Sequence, residues 1–213
     1  MYLLLGSPSS EHVAALFSSE HGLVSHLSWN VPKGAQTDLV ERVGVLLDTE
    51  RVDAAELQGL VVLTGPGSFS FSRTGVVAAN TFRFAQGVSA VGLDCLQWGV
   101  LLARVRGVAA SARVVSALST MHDSWFIGEG VVGSVGLPEL VYERVSASEL
   151  EKRASGAVLV ADHHQSASYT FSATSMEELE LLIPQLIQLP FSNEDIEPRY
   201  IVDPNIGSLQ PKG

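Results

Sequence analysis

Hydrophobic positions along the 213-residue chain change period several times, and each change marks an element. Tyr2 to Leu5, Val13 to Phe17 and Leu23 to Leu27 are short apolar segments parted by polar turns with Gly or Ser, the pattern of a β-meander. From Thr37 the spacing turns helical: Leu39, Val40, Val43, Leu46 and Leu47 share one face, and Asp38 with Glu41 has capping-box spacing. Asp53 and Glu56 repeat that spacing and predict a short helical turn. Gly59 to Thr64 is apolar, rich in β-branched residues and too short for a helix, so it reads as a buried strand. Gly65-Pro66-Gly67 stops it, Ser68 is placed to cap a helix, and a helical pattern runs on to Ala85. Further on the pattern predicts a strand over 88–93, a helix over 96–106, paired strands over 113–118 and 125–129, and a strand over 157–160. Ser146-x-x-Glu149 and Ser175-x-x-Glu178 each open a helix, Pro184 should kink the second, and the tail after Asp203 should fray.

Strands alternating with helices give an α/β fold. The length fits one large domain or two small lobes. Composition agrees with a globular chain, at 46% hydrophobic and 17% charged residues. The net charge of −10 is uneven, because residues 114–213 hold five basic and fourteen acidic side chains. Such a surface repels phosphate, so we expect no direct tight nucleic-acid binding. No apolar run reaches membrane-spanning length and the N-terminus lacks a signal-peptide pattern, so the expected location is the cytoplasm, with no membrane partner. A single Cys95 reads as a small buried hydrophobe.

Candidate chemistry is sparse. The turn Gly65, Pro66, Gly67, Ser68 between a strand and a helix aims backbone N–H groups as phosphate-binding turns do. It is no P-loop, since no lysine follows the glycines, and as a dinucleotide fingerprint it lacks the third glycine and the acidic residue about 20 residues on. No G-x-S-x-G elbow occurs. His163 and His164 are adjacent, so their side chains diverge, and with no third ligand evident they read as a surface pair. On the helix after the turn, Phe71, Thr74, Gly75, Ala78, Phe82 and Ala85 form a face suited to packing on a sheet. Phe69, Arg73, Val76, Asn80 and Arg83 project together on the other face, flanked by Val77 and Phe84. Aromatic, aliphatic and Arg side chains mixed in this way suit a partner interface, which Val45 and Gly44 of the preceding helix would extend; coverage by another part of the chain is the alternative.

The run from Thr64 to Gly75 resembles the G-P-G-S-F-T-G-x-R-x-G signature of the TsaB (YeaZ) family: Gly65, Pro66, Gly67, Ser68, Phe69, Arg73 and Gly75 match, while Ser70 stands for Thr and Phe71 for Gly. Val91 to Leu96 resembles the family's V-G-V-S-S-L, and Ile196 to Ile201 its L-x-P-x-Y-L. The resemblance implies a two-lobed actin/hexokinase-like fold with mixed sheets flanked by helices, with an N-terminal lobe of residues 1–107 and a smaller lobe of residues 108–213 whose C-terminal segment is able to return to the first. It further implies a non-catalytic subunit for tRNA N6-threonylcarbamoyladenosine modification, partnered by a TsaD-like protein and a TsaE-like ATPase through helices at these positions. No cofactor would be tightly bound by the isolated chain, and ATP or ADP would be held only at a partner interface. Two departures from the family pattern and one absence that leaves a protease without a metal pair bear on this. Gly6 stands where the superfamily has a first-strand aspartate, Ser119-Thr120-Met121 replaces an Asp-Ala-Arg sequence, and the H-x-x-x-H metal pair of TsaD relatives is absent. An ATP-dependent small-molecule kinase and a degenerate homodimeric scaffold stay open as alternatives.

Overall fold

The computed structural model describes residues 1–7, 11–30, 38–67, 69–120, 123–162, 164–171 and 174–201, and for residues 69–71 the backbone alone. The cap assigned to Ser68, the side chains of Phe69 and Phe71, Met121, His163 and the tail after Asp203 lie outside the described residues.

The expected meander forms: β1 (Tyr2–Gly6) pairs antiparallel with β2 (Glu11–Ser18), and β2 with β3 (Gly22–Asn30). After α1 (Leu39–Glu50) and a single 3-10 turn (Ala54–Glu56), β4 (Gly59–Leu63) runs parallel to β1, with Leu4 opposite Val61. Then α2 (Phe69–Gln86) leads to β5 (Ser89–Leu93), parallel to β4, which completes a five-stranded sheet in the order β3-β2-β1-β4-β5. Helix α3 (Cys95–Val105) crosses to a second sheet made of β6 (Arg113–Ser119), β7 (Ser124–Val131), β8 (Leu140–Ser146) and, after α4 (Ala147–Ala154), β9 (Val158–Ala161). Its order is β8-β7-β6-β9, with only β6 and β9 parallel, and α5 (Met176–Leu186) follows. The expected α/β architecture with mixed sheets is therefore the one observed. Both sheets follow one plan, an antiparallel meander whose first strand then accepts a parallel neighbour. No repeat is legible in the sequence, because the two halves share hydrogen-bond pattern rather than residues.

Packing follows the two-residue period of the strands. Leu3 and Leu5 of β1 join Leu60 and Val62 of β4 under α1 and α2, while Leu4, Val61 and Leu63 face α3 and α5. On the other side of α3 lies the second sheet, whose Val114 and Val160 share that central core. Val115, Ala117, Ile127 and Leu159 point away into a smaller core closed by Leu150 of α4. The order of layers is α1 and α2, first sheet, α3 and α5, second sheet, α4. Strands covered on both faces need apolar residues at every position, and β4 is buried along its whole length.

Three local expectations change. Asp38 makes no side-chain cap; its carboxylate instead accepts from Trp29 Nε1 at 2.9 Å and pairs with Arg42 Nε at 2.5 Å. The Asp53–Glu56 and Ser175–Glu178 capping boxes form with both reciprocal bonds, whereas Ser146 accepts from Glu149 N–H alone. Strand β8 carries no strong alternation for sequence reading to find: it is a sheet edge, and Val141, Glu143 and Arg144 face solvent.

The last described segment redraws the helix faces. After α5, Ser192 and Ala90 exchange backbone hydrogen bonds at 2.8 and 3.0 Å along the edge of β5. Asn80 Nδ2 donates to Ile196 O at 2.9 Å and its Oδ1 accepts from Ile196 N–H at 3.0 Å. Arg83 pairs with Asp195 at 2.6 Å and also donates to Asn193 O. Of the outward face expected of Phe69, Arg73, Val76, Asn80 and Arg83, Arg73 alone is exposed among the described side chains. Val76 is 3% exposed in the core with Leu3 and Leu5, and Asn80 and Arg83 hold the chain's own C-terminal segment. The physical reason is that the first sheet, α1 and this segment cover α2 from three sides. What remains outward is a narrow strip of Arg73, Val77, Thr81 and Phe84.

Candidate functional site

The ends of β1 and β4 lie side by side and open into the two turns that matter most. Gly6 ends β1 at φ +147°, and a Cβ built there would stand 2.5 Å from Leu63 Cβ on the neighbouring strand. Both the backbone and the crowding demand glycine. An aspartate cannot occupy this position without moving β4, so the departure seen in the sequence is built into the strand pairing.

Beyond Gly6, Ser7 is buried and its Oγ shares a hydrogen bond with Nδ1 of His12, which is wholly buried at the start of β2. Cys95 Sγ donates to Ser7 O at 3.6 Å, tying the turn to the start of α3. His12 stacks on Trp29 with centroids 5.2 Å apart, and the Trp29–Asp38–Arg42 contacts continue to the start of α1. Burial pushes the Cys95 thiol upward, which leaves it protonated and a poor nucleophile.

Burial also lowers the His12 pKa from 6.5, against the raising effect of Asp38, while Arg42 lowers it further. A depressed histidine contributes stability that is complete above the unfolded value and is lost as pH falls through the folded one, because the unfolded chain takes the proton first. We therefore expect thermal stability to decline as pH drops below 6.5, with a limiting slope of about 1.4 kcal/mol per pH unit for one proton. His12→Gln should flatten that decline in a calorimetric series from pH 7 to 5; an unchanged slope would contradict the assignment.

The turn after β4 is described as far as Gly67. Gly65 has φ +102°, and a Cβ there would lie 3.0 Å from both Arg199 O and Ser72 Oγ. The Gly65–Pro66 peptide is cis, Gly65 and Pro66 are buried, and Gly67 is exposed. Cys95 N–H donates to Gly65 O at 2.8 Å and Thr64 N–H to Leu93 O at 2.9 Å, which pins the turn against β5 and α3. A Cβ built at Gly75 of α2 would lie 3.7 Å from Leu5 Cδ1 and 3.8 Å from Gly6 Cα. Arg73 is exposed on the strip described above.

Other sequence candidates settle as follows. His164 is not on the surface: its side chain is 10% exposed, edge-on to Trp125 and 3.4 Å from Glu151. No group of three or more His, Cys, Asp or Glu side chains able to hold a metal occurs among the described residues. No helix among them is long and apolar enough to cross a membrane. Val45 is exposed at 56%, and a Cβ at Gly44 would meet nothing within 4 Å, so this part of α1 is open as expected. Sequence reasoning missed Val40 as an outward residue, although it is exposed to the same degree, and treated Val77 and Phe84 as flanking rather than central. Phe84, 94% exposed, is the most exposed of the large apolar side chains described. It could have been found by asking which helical phase a buried Val76 leaves outside.

No family model and no curated protein matches the sequence. Solved structures do match. The chain is similar to YeaZ from Pseudomonas aeruginosa, with a TM-score of 0.71 and 18% identity over 94% of this chain and 99% of that one. It is likewise similar to an uncharacterized protein with similarity to peptidase YeaZ from Pseudomonas aeruginosa, with a TM-score of 0.69 and 17% identity over 94% and 99% of the two chains. At such identities the likeness establishes the fold.

Proposed function

We propose that this chain is a non-catalytic subunit of the TsaB (YeaZ) type, which docks on a TsaD-like protein and, with a TsaE-like ATPase, serves tRNA threonylcarbamoyladenosine modification. One observation carries the reading: the Gly65–Gly75 signature lies at the junction of β4 and α2 in a chain whose fold follows YeaZ along nearly its whole length. The accompanying division into residues 1–107 and 108–213 keeps one sheet in each part. The crowded Gly6 supports the view that the chain holds no ATP tightly by itself, and a nucleotide would be completed by a partner's groups.

The docking surface is the outer face of α1 and α2, which lie beside each other over one face of the first sheet. Val40, Val45, Val77 and Phe84 leave apolar area in water there, and Gly44 leaves room for a close approach. These residues replace Val76, Asn80 and Arg83 in the interface. Titrating the purified chain with a TsaD-like protein from the same cell should give a stoichiometric complex; a chain that only self-associates would favour the homodimeric scaffold instead.

A hydrolytic reading has one observation in its favour, the Ser7–His12 hydrogen bond, and burial of both side chains against it. Ser7→Ala should leave any trace peptidase signal of the preparation unchanged. Turnover by the pure chain that this substitution abolishes would establish an enzyme and displace the partner-subunit reading.

A further inference from the structure

A cavity of about 690 Å3 opens between the end of β5, the segment leading into β8, and residues 190–199. It lies apart from the outer strip of α1 and α2, and its interest is independent of the docking reading. Arg199 lines it and is held from three elements: its backbone N–H donates to Thr64 O at 2.9 Å, its Nε lies 3.5 Å from Asp94 Oδ2, and its guanidinium stacks 4.6 Å above the Tyr142 ring. Asp94 is buried at the start of α3, where Oδ1 accepts from Leu96 and Gln97 N–H at 2.7 and 3.3 Å and the carboxyl group also meets the Tyr142 hydroxyl. The Arg199 plane is thereby fixed, while its two Nη groups donate to no described group.

Glu139, Glu194 and Glu197 line the same cavity, none ion-paired among the described residues, while Asp195 is paired with Arg83 at 2.6 Å and Asp94 meets the Nε edge of Arg199. A lone anion would reach Arg199 only against three unpaired carboxylates. A lone cation would meet the glutamates but leave the two Nη donors of Arg199 unused. A small zwitterion answers both charges, and apolar walls that include Leu140 and Pro198 can take a side chain. The volume falls within the range of small-molecule sites.

We propose that this cavity binds an α-amino acid as its zwitterion, with the carboxylate on the Nη edge of Arg199 and the ammonium toward the glutamates. A planar carboxylate matches the two parallel N–H donors of a guanidinium, which an ammonium donor cannot reproduce. The test is calorimetric titration of the whole chain with a panel of free L-amino acids, followed by the N-acetylated and amidated forms of whichever binds best. Binding of at least one free amino acid is expected, with a loss of at least tenfold when either end is blocked. Arg199→Lys, which keeps a charge beside Asp94 but removes the fork, should weaken binding at least tenfold. Glu194→Gln with Glu197→Gln, both exposed and therefore harmless to folding, should remove the preference for the free over the acetylated ligand. The proposal is overturned if no free amino acid binds, if the blocked forms bind equally, if the glutamine variant keeps the preference, or if inorganic phosphate or spermidine binds more tightly than the best amino acid.

Discussion

Val76→Glu unfolds the chain. The side chain is 3% exposed between α2 and the first sheet, in the core with Leu3, Leu5, Leu60 and Val62. The substitution forfeits about 1.5–3 kcal/mol of apolar burial and leaves a carboxylate without a basic partner in that layer. An uncompensated buried charge costs about 3–5 kcal/mol, a large share of the stability of an ordinary domain. We expect loss of the cooperative thermal transition, or a collapse of the denaturant midpoint, before any question of partner binding arises. A folded Val76→Glu protein of normal stability would mean that α2 is rotated relative to the arrangement described here.

The second large effect is at Gly6. Restoring the superfamily's first-strand carboxylate with Gly6→Asp asks a side chain to adopt φ +147° and to occupy space 2.5 Å from Leu63 Cβ. Backbone strain of that kind costs about 1–3 kcal/mol, and the overlap adds to it because Leu63 is fixed in a strand buried on both faces. The expected result is a destabilised protein that gains no ATP affinity. Normal stability together with micromolar ATP binding would show that the β1 turn can reopen into a nucleotide site, and would favour the kinase alternative.

Much of this fold was legible because its strands and helices announce themselves by period. The meander of β1 to β3, the β4-turn-α2 unit and the paired β6 and β7 all follow from where apolar residues recur, and Gly65 to Gly67 marked the turn without any contact being known. The site was less legible, for reasons that lie in long-range packing. A helical wheel gives the spacing of α2 but not its phase, and the phase is decided by Asn80 and Arg83 gripping residues 193–196, more than a hundred positions away. The Ser7–His12 pair is hidden in the same way, since nothing local says that a serine in a turn and a histidine at a strand start will share a hydrogen bond in the interior. His164 looked solvated beside a second histidine, yet Trp125 from β7 covers it. Edge strand β8 lacks an apolar period because Leu140 and Tyr142 on one face meet the central core while Val145 on the other meets the smaller one.

Equilibrium binding of a TsaD-like protein to Val77→Glu with Phe84→Glu tests most directly which surface receives the partner. Both side chains are outward, at 63% and 94% exposure, so the double variant should keep the wild-type unfolding temperature within a few degrees. Apolar anchors near the centre of an interface are worth about 2 kcal/mol or more each on truncation, and a charge adds a desolvation cost. The predicted result is a complex weakened at least a hundredfold. A variant that folds normally and binds with unchanged affinity would place the interface elsewhere and contradict the account.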